Sequence, residues 1–207
     1  MIRYTLAFVL LAALAPATPA QFNFTGKVEK LTKAPSCLPT ATHQIRCSEI
    51  YLVPDASVDL TKWEGKVTKM TGTVEVATCP AFKVLTAASA GYKLAIKPSG
   101  SGANFRIGET VEWKTTGPFL SLMPFLMAAG PGFLPLVNYG CFQIDLLTTL
   151  WLQTDVALFG SVRYLLPIPN DTNLIGLTIH GQGVYLVILP TLDVKVINSD
   201  CFTIIAK

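Results

Sequence analysis

From Phe22 to about Ala90 the chain alternates short β-prone runs with turn residues, the pattern of a small all-β unit. It predicts strands over 26–31, 49–53, 65–76 and 82–86. Within 65–76, Val67, Lys69 and Thr71 share one pleat face and Thr68, Met70 and Gly72 the other. Val74 and Val76 then fall in with Met70, so the two halves agree only if the strand bends or bulges at Gly72. Beyond residue 91, a strand over 92–97 is followed by long apolar segments. Pro167 and Pro169 cannot donate to a β ladder and imply an extended edge, and Asn170 to Asn173 supply a turn. In the run that follows, Leu174, Gly176, Thr178 and His180 fall on one face. Ile175, Leu177 and Ile179 form the apolar face expected to be core. From Val184 to Leu189 both faces are apolar, which calls for a strand central in its sheet. The chain is therefore read as all-β, its second part a two-sheet sandwich of short antiparallel strands.

The first 20 residues depart from this pattern. Arg3, an apolar run from Tyr4 to Leu14, and the small-residue sites ending at Ala17 and Ala20 have the form of a removable secretion signal. The apolar run is about half the roughly 20 residues that a bilayer span needs, which disfavours an anchor helix. Exposure outside the cell, in the periplasm or on the outer envelope is the expected destination. Small uncharged stretches at 87–91 and 98–102 place a boundary near residue 90, dividing 21–90 from 91–207. The formal net charge of +3, one unit less without Arg3, gives no footprint for a nucleic-acid partner.

Between Lys114 and Asp145 thirty residues pass without a charge. Pro118, Pro124, Pro131 and Pro135 deny this stretch a regular spanning helix, so no transmembrane segment is expected in the mature chain. Short buried strands joined by turns are the expected structure; a hydrophobic contact surface is the alternative.

Two resemblances bear on the fold. Cys47, Tyr51-Leu52-Val53, Val58-Asp59-Leu60, Trp63-Glu64-Gly65, Val67-Thr68, Thr71-Gly72-Thr73 and Cys79-Pro80 resemble small secreted bacterial domains of OB-like build. That resemblance implies a small OB-like barrel over 21–90. Such a barrel can bind oligonucleotides or oligosaccharides, but the fold alone does not confer that activity. Phe105-Arg106-Ile107-Gly108, Pro131-Gly132, Leu134-Pro135, Gly140-Cys141 and above all Leu165 to Gln182 resemble a secreted β-domain recurring in uncharacterised exported proteins of planctomycetes and myxobacteria. The unusually apolar 119–137 segment and Cys201 depart from that pattern.

Five cysteines in an exported chain point to disulfides. Cys47 with Cys79 is the favoured pair, closing a loop of about 33 residues worth roughly 3–4 kcal/mol on the chain-entropy account. Cys37 with Cys47 is the runner-up, and Cys141 with Cys201 is the pairing expected in the second part. The three early cysteines with His43 could ligate a metal, but they contain no C-x-x-C pair, and neither metal nor cofactor is expected.

For function, the chain contains no G-x-S-x-G elbow and no H-E-x-x-H helix. Its two histidines, His43 and His180, have no carboxylate at a telling spacing. Asp145, Asp155 and Glu109 could serve as glycosidase carboxylates only if the fold brought them together. Asp171 and Asn173 could offer oxygens to calcium. Asn23 and Asn170 each open a glycosylation sequon. The leading expectation is a noncatalytic envelope or extracellular protein acting through surface contacts at 119–139, with a cell-surface component or polysaccharide as partner. A glycan- or small-ligand-binding module using Trp63, Trp113 or Trp151 is the alternative, and an unrecognised hydrolase the third reading.

Overall fold

The computed structural model describes residues 20–76, 79–97, 103–188 and 192–207. The secretion signal and the 98–102 segment expected from the sequence lie outside the described residues. The molecule is all-β. Its first five strands, β1 (Phe22–Lys30), β2 (His43–Ile45), β3 (Tyr51–Pro54), β4 (Val67–Val76) and β5 (Pro80–Ser89), close into a barrel of order β1-β2-β3-β5-β4. Every pair in it is antiparallel except β3 with β5. Alternation along β1 sends Phe24, Gly26 and Val28 inward. There Phe24 meets Phe82 at 4.1 Å between ring centroids, among Ile45, Leu52, Met70 and Val84. The expected bulge is present: the β4–β5 register shifts between Thr71 and Gly72.

The later strands are β6 (Leu94–Lys97), β7 (Ala103–Arg106), β8 (Thr110–Thr116), β9 (Ser121–Ala128), β10 (Pro131–Leu136), β11 (Gly140–Ile144), β12 (Thr149–Ala157), β13 (Ser161–Pro167), β14 (Thr178–Val187) and β15 (Asp193–Ile205). They build a five-stranded sheet, β12-β9-β14-β15-β7, a three-stranded sheet, β13-β8-β6, and the hairpin β10–β11. The first two sheets bury a common core. Trp113 of β8 lies 5.1 Å from Phe125 of β9 and 6.0 Å from Phe202 of β15, and Phe125 stacks on Tyr164 of β13 at 4.8 Å. The Tyr164 hydroxyl donates to the Met123 carbonyl across the two sheets, and burial pushes its phenol pKa up.

As expected, β14 is central, between β9 and β15, and β13, which ends at Pro167, is an edge. The run before β14 differs from expectation. A short 3₁₀ turn covers Thr172–Leu174, Gly176 has φ +88°, and the strand begins only at Thr178. Ile175, assigned to the core by alternation, is exposed, while Ile179 is buried. A left-handed glycine breaks the strand, so the period-two pattern does not carry across it.

The hairpin β10–β11 does not join the sandwich core. It lays Phe133 against Phe24 of the barrel, with centroids 6.1 Å apart, and delivers Cys141 into the barrel core. Buried Gln143 sits where the three parts meet. Its Nε2 donates to the Thr25 carbonyl at 2.7 Å, and its Oε1 accepts from Ser199 N at 3.1 Å and Ser199 Oγ at 2.8 Å. Gln182 answers it, accepting from Gln143 N at 2.8 Å and donating to the Cys141 and Ile197 carbonyls.

This arrangement corrects the expected disulfides. Cys37 pairs with Cys79 and Cys47 with Cys201, with Cα atoms 6.1 and 5.6 Å apart, while Cys141 is free and buried. The expected pairs Cys47–Cys79 and Cys141–Cys201 assumed that each half closes on itself. The hairpin instead carries Cys141 away from Cys201, and the β2–β3 turn holds Cys47 against β15. Buried Arg46 reinforces the same seam, its Nε 3.5 Å from Glu29 and 3.8 Å from Asp200.

Candidate functional site: an apolar end and a tyrosine-lined cleft

Two surface features stand out once the chain is folded. The first lies at one end of the two-sheet part. The β8–β9 turn and the β12–β13 turn lie side by side there: Gly117 N donates to the Gly160 carbonyl at 3.0 Å and Leu120 N to the Ala157 carbonyl at 2.9 Å. Bonded in this way, the turns hold Phe119 and Leu120 at 64% and 59% exposure and Leu158 and Phe159 at 53% and 90%. Leu120 has φ +53°, a region costly for any side chain and suited to Gly or Asn. The β14–β9 register sets Leu186 opposite Leu122, so exposed Ile188 emerges at this end too. No charged residue occurs within 115–122, 156–162 or 184–192.

The outer face of the neighbouring three-stranded sheet has the opposite chemistry. Register places Lys114 of β8 between Arg163 of β13 and Ala95 of β6, and the next row joins Glu112 with Lys97 and Leu165. Exposed Lys93 precedes β6 beside Thr116. Arg163 Nε lies 3.5 Å from Glu112, so four cations share this face with one carboxylate.

The second feature is a cleft of about 440 Å³ between barrel and sandwich, lined among others by Asn23, Lys69, Tyr92, Tyr139, Tyr185 and Lys195. Tyr92 meets Tyr185 edge-on at 5.3 Å, and Lys195 Nζ stands 6.0 Å from the Tyr139 ring centre while donating to the Asn138 carbonyl. Burial first, then the Asp193 charge, pushes the Tyr185 phenol up to about 12, so it is a neutral hydrogen-bonding group at physiological pH. Aromatic faces beside amines suit a polar ring or an anionic group.

The residues singled out from the sequence are dispersed. Trp113 is fully buried in the sandwich core, which corrects its reading as an exposed binding residue. Trp63 is half-buried against the barrel core, with Lys66 Nζ 6.0 Å above its ring. Trp151 pairs through its backbone with Met127, and its side chain lies outside the described residues. Of the 119–137 segment, Met123, Phe125 and Met127 are core, Leu122, Pro124 and Leu126 are half-buried on the other face of β9, and the exposed positions lie in the turns and the hairpin.

Asp145 and Asp171 cap 3₁₀ turns by accepting from Leu147 N and Asn173 N, Asp155 accepts from Gln153 Nε2, and Glu109 from Arg106 N. These carboxylates are not gathered into one site; Asp145 and Asp155 stand at opposite ends of the β9–β12 ladder. The contact between His43 Nε2 and Glu64 at 3.2 Å could not be read from the sequence, because the two lie 21 positions apart. His43 Nδ1 also lies 2.8 Å from Thr42 Oγ1, and the imidazole is 4% exposed, tying β2 to the segment before β4. The tyrosine cleft was likewise illegible, since its walls come from six separate stretches of chain.

No protein-family model matches the chain, and no curated protein is significantly similar to it.

Proposed function

We propose that the chain is an exported, noncatalytic protein of the envelope or extracellular space that works by surface contact, with the apolar end as its binding element. The observation that carries this reading is the exposure of Phe119, Leu120, Leu158 and Phe159 on two mutually bonded turns without charge. Turns are ordinarily the most polar part of a fold, and clustered exposed apolar side chains mark contact surfaces. The two disulfides fit an oxidising compartment. On the same reading, 21–90 is an OB-like domain and 91–207 a β-sandwich domain.

The test is saturable binding of the purified protein to isolated cell envelopes, with a cooperative melt to establish folding. Phe119→Ser with Phe159→Ser is expected to abolish binding while leaving the melt within a few degrees, since neither side chain belongs to a core. A folded protein that does not bind envelopes overturns the proposal.

The tyrosine cleft supports a second reading, a glycan- or small-ligand-binding module. It predicts binding in a polysaccharide panel that Tyr92→Ala and Tyr139→Ala each remove without lowering thermal stability; retention of binding in both variants would sink it.

A further inference from the structure

We infer that the apolar end seats itself in the interfacial layer of an anionic lipid bilayer, with the two turns entering the headgroup–acyl boundary and the cationic face of the three-stranded sheet lying against the headgroups. This rests on the surface-contact reading and names its partner.

Four observations converge. Phe119, Leu120, Leu158 and Phe159 project from turn tips, a convex shape that suits a fluid medium more than a groove. The turn backbones bond to each other through Gly117 with Gly160 and Leu120 with Ala157, so part of their polar load is satisfied before dehydration, as a bilayer demands. The stretches at this end are free of charge over 115–122 and 156–162, so no ionised group has to be dragged below the headgroups. Behind them Lys93, Lys97, Lys114 and Arg163 face outward against the single carboxylate Glu112, which is complementary to anionic lipid and not to a second copy. Two copies docked tip to tip would bring these like-charged faces together.

Leu120 adds an independent argument. At φ +53° and 59% exposure it is backbone strain without core packing, so folding alone would be better served by glycine. A leucine there makes physical sense where its side chain is used against something outside the molecule.

The test is flotation of the purified protein with unilamellar vesicles of phosphatidylcholine alone and with about a third phosphatidylglycerol. Binding is expected on the anionic vesicles and is weakened by raising salt from 0.05 to 0.5 M. Phe159→Ser is expected to weaken it about tenfold, the order that losing one large buried apolar side chain implies. Leu120→Gly is the decisive variant, expected to raise or preserve the melting temperature while weakening binding several-fold. Lys114→Glu with Arg163→Glu removes the preference for anionic lipid.

A folded protein that floats with neither vesicle overturns the inference, as does binding indifferent to Phe159→Ser. Binding to envelopes without binding to vesicles overturns it and leaves surface contact standing, whereas failure on both removes both. Self-association that Phe159→Ser abolishes, without vesicle binding, assigns the tip to a second copy and overturns the lipid assignment.

Discussion

His180 shows how a single buried group can register pH at the seam between barrel and sandwich. It is 7% exposed, and its Nδ1–H donates to the Cys47 carbonyl at 3.0 Å, which fixes the neutral tautomer. Burial lowers its pKa from the usual 6.5, only partly opposed by that hydrogen bond. The folded state thus binds fewer protons than the unfolded chain below about pH 6.5. Its stabilising contribution is complete above that pH and is lost as pH falls through the folded value. Asp200 has the opposite sense: burial raises its pKa against the pull of Arg46, so the folded state takes up its proton earlier on acidification and gains stability as pH falls toward the carboxylate range. Urea midpoints at pH 7.5 and 5.5 are therefore expected to fall for the natural protein and to fall less for His180→Gln; an equal fall in both would remove His180 from this role. Neither behaviour is legible from the sequence, where His180 is a polar residue in an apolar strand and Cys47 is 133 residues away.

At the scale of elements, the sequence pattern succeeded where local geometry decides and failed where distant packing does. Gly72 is the clearest success. The mismatch of faces along 65–76 required an irregularity, and the register shift falls between Thr71 and Gly72. A Cβ at Gly72 would lie 1.9 Å from the Lys83 carbonyl oxygen, on backbone that cannot swing aside. Gly72→Ala is accordingly expected to cost about 3 kcal/mol or more, or to prevent folding, as an overpacked site in a closed barrel does. A chemical-denaturation midpoint within error of the natural protein would show that the barrel yields there. The three-residue β2 escaped detection because it is too short for a period to register. Trp113 was an ambiguous binding candidate because β8 alternates polar and apolar whether its inner face meets solvent or another sheet. Only the facing Phe125 and Phe202 decide the matter.

For the whole molecule, the barrel and the later sheets are coupled more tightly than the boundary expected near residue 90 implied. The hairpin β10–β11 packs on the barrel, Gln143 bonds to both parts, and Cys47–Cys201 joins residues 154 apart. A loop of that length corresponds to about 5 kcal/mol of chain entropy removed from the unfolded state. Replacing Cys47 and Cys201 by serine is expected to lower the stability of the whole chain by several kcal/mol in a single shared transition. Two separated transitions in the natural protein would instead mark independent units.

The two disulfides also interlace, since Cys47 lies inside the span from Cys37 to Cys79 while its partner Cys201 lies far beyond it. A chain delivered from its N-terminus presents Cys37 and Cys47 to an oxidant together, and both must wait for partners that arrive later, one of them almost at the end of the chain. The earliest available bond is therefore a wrong one. Wherever that bond forms first, reaching the native pairs requires breaking and remaking it, and the yield of native protein then follows thiol exchange as well as the stability of the finished fold.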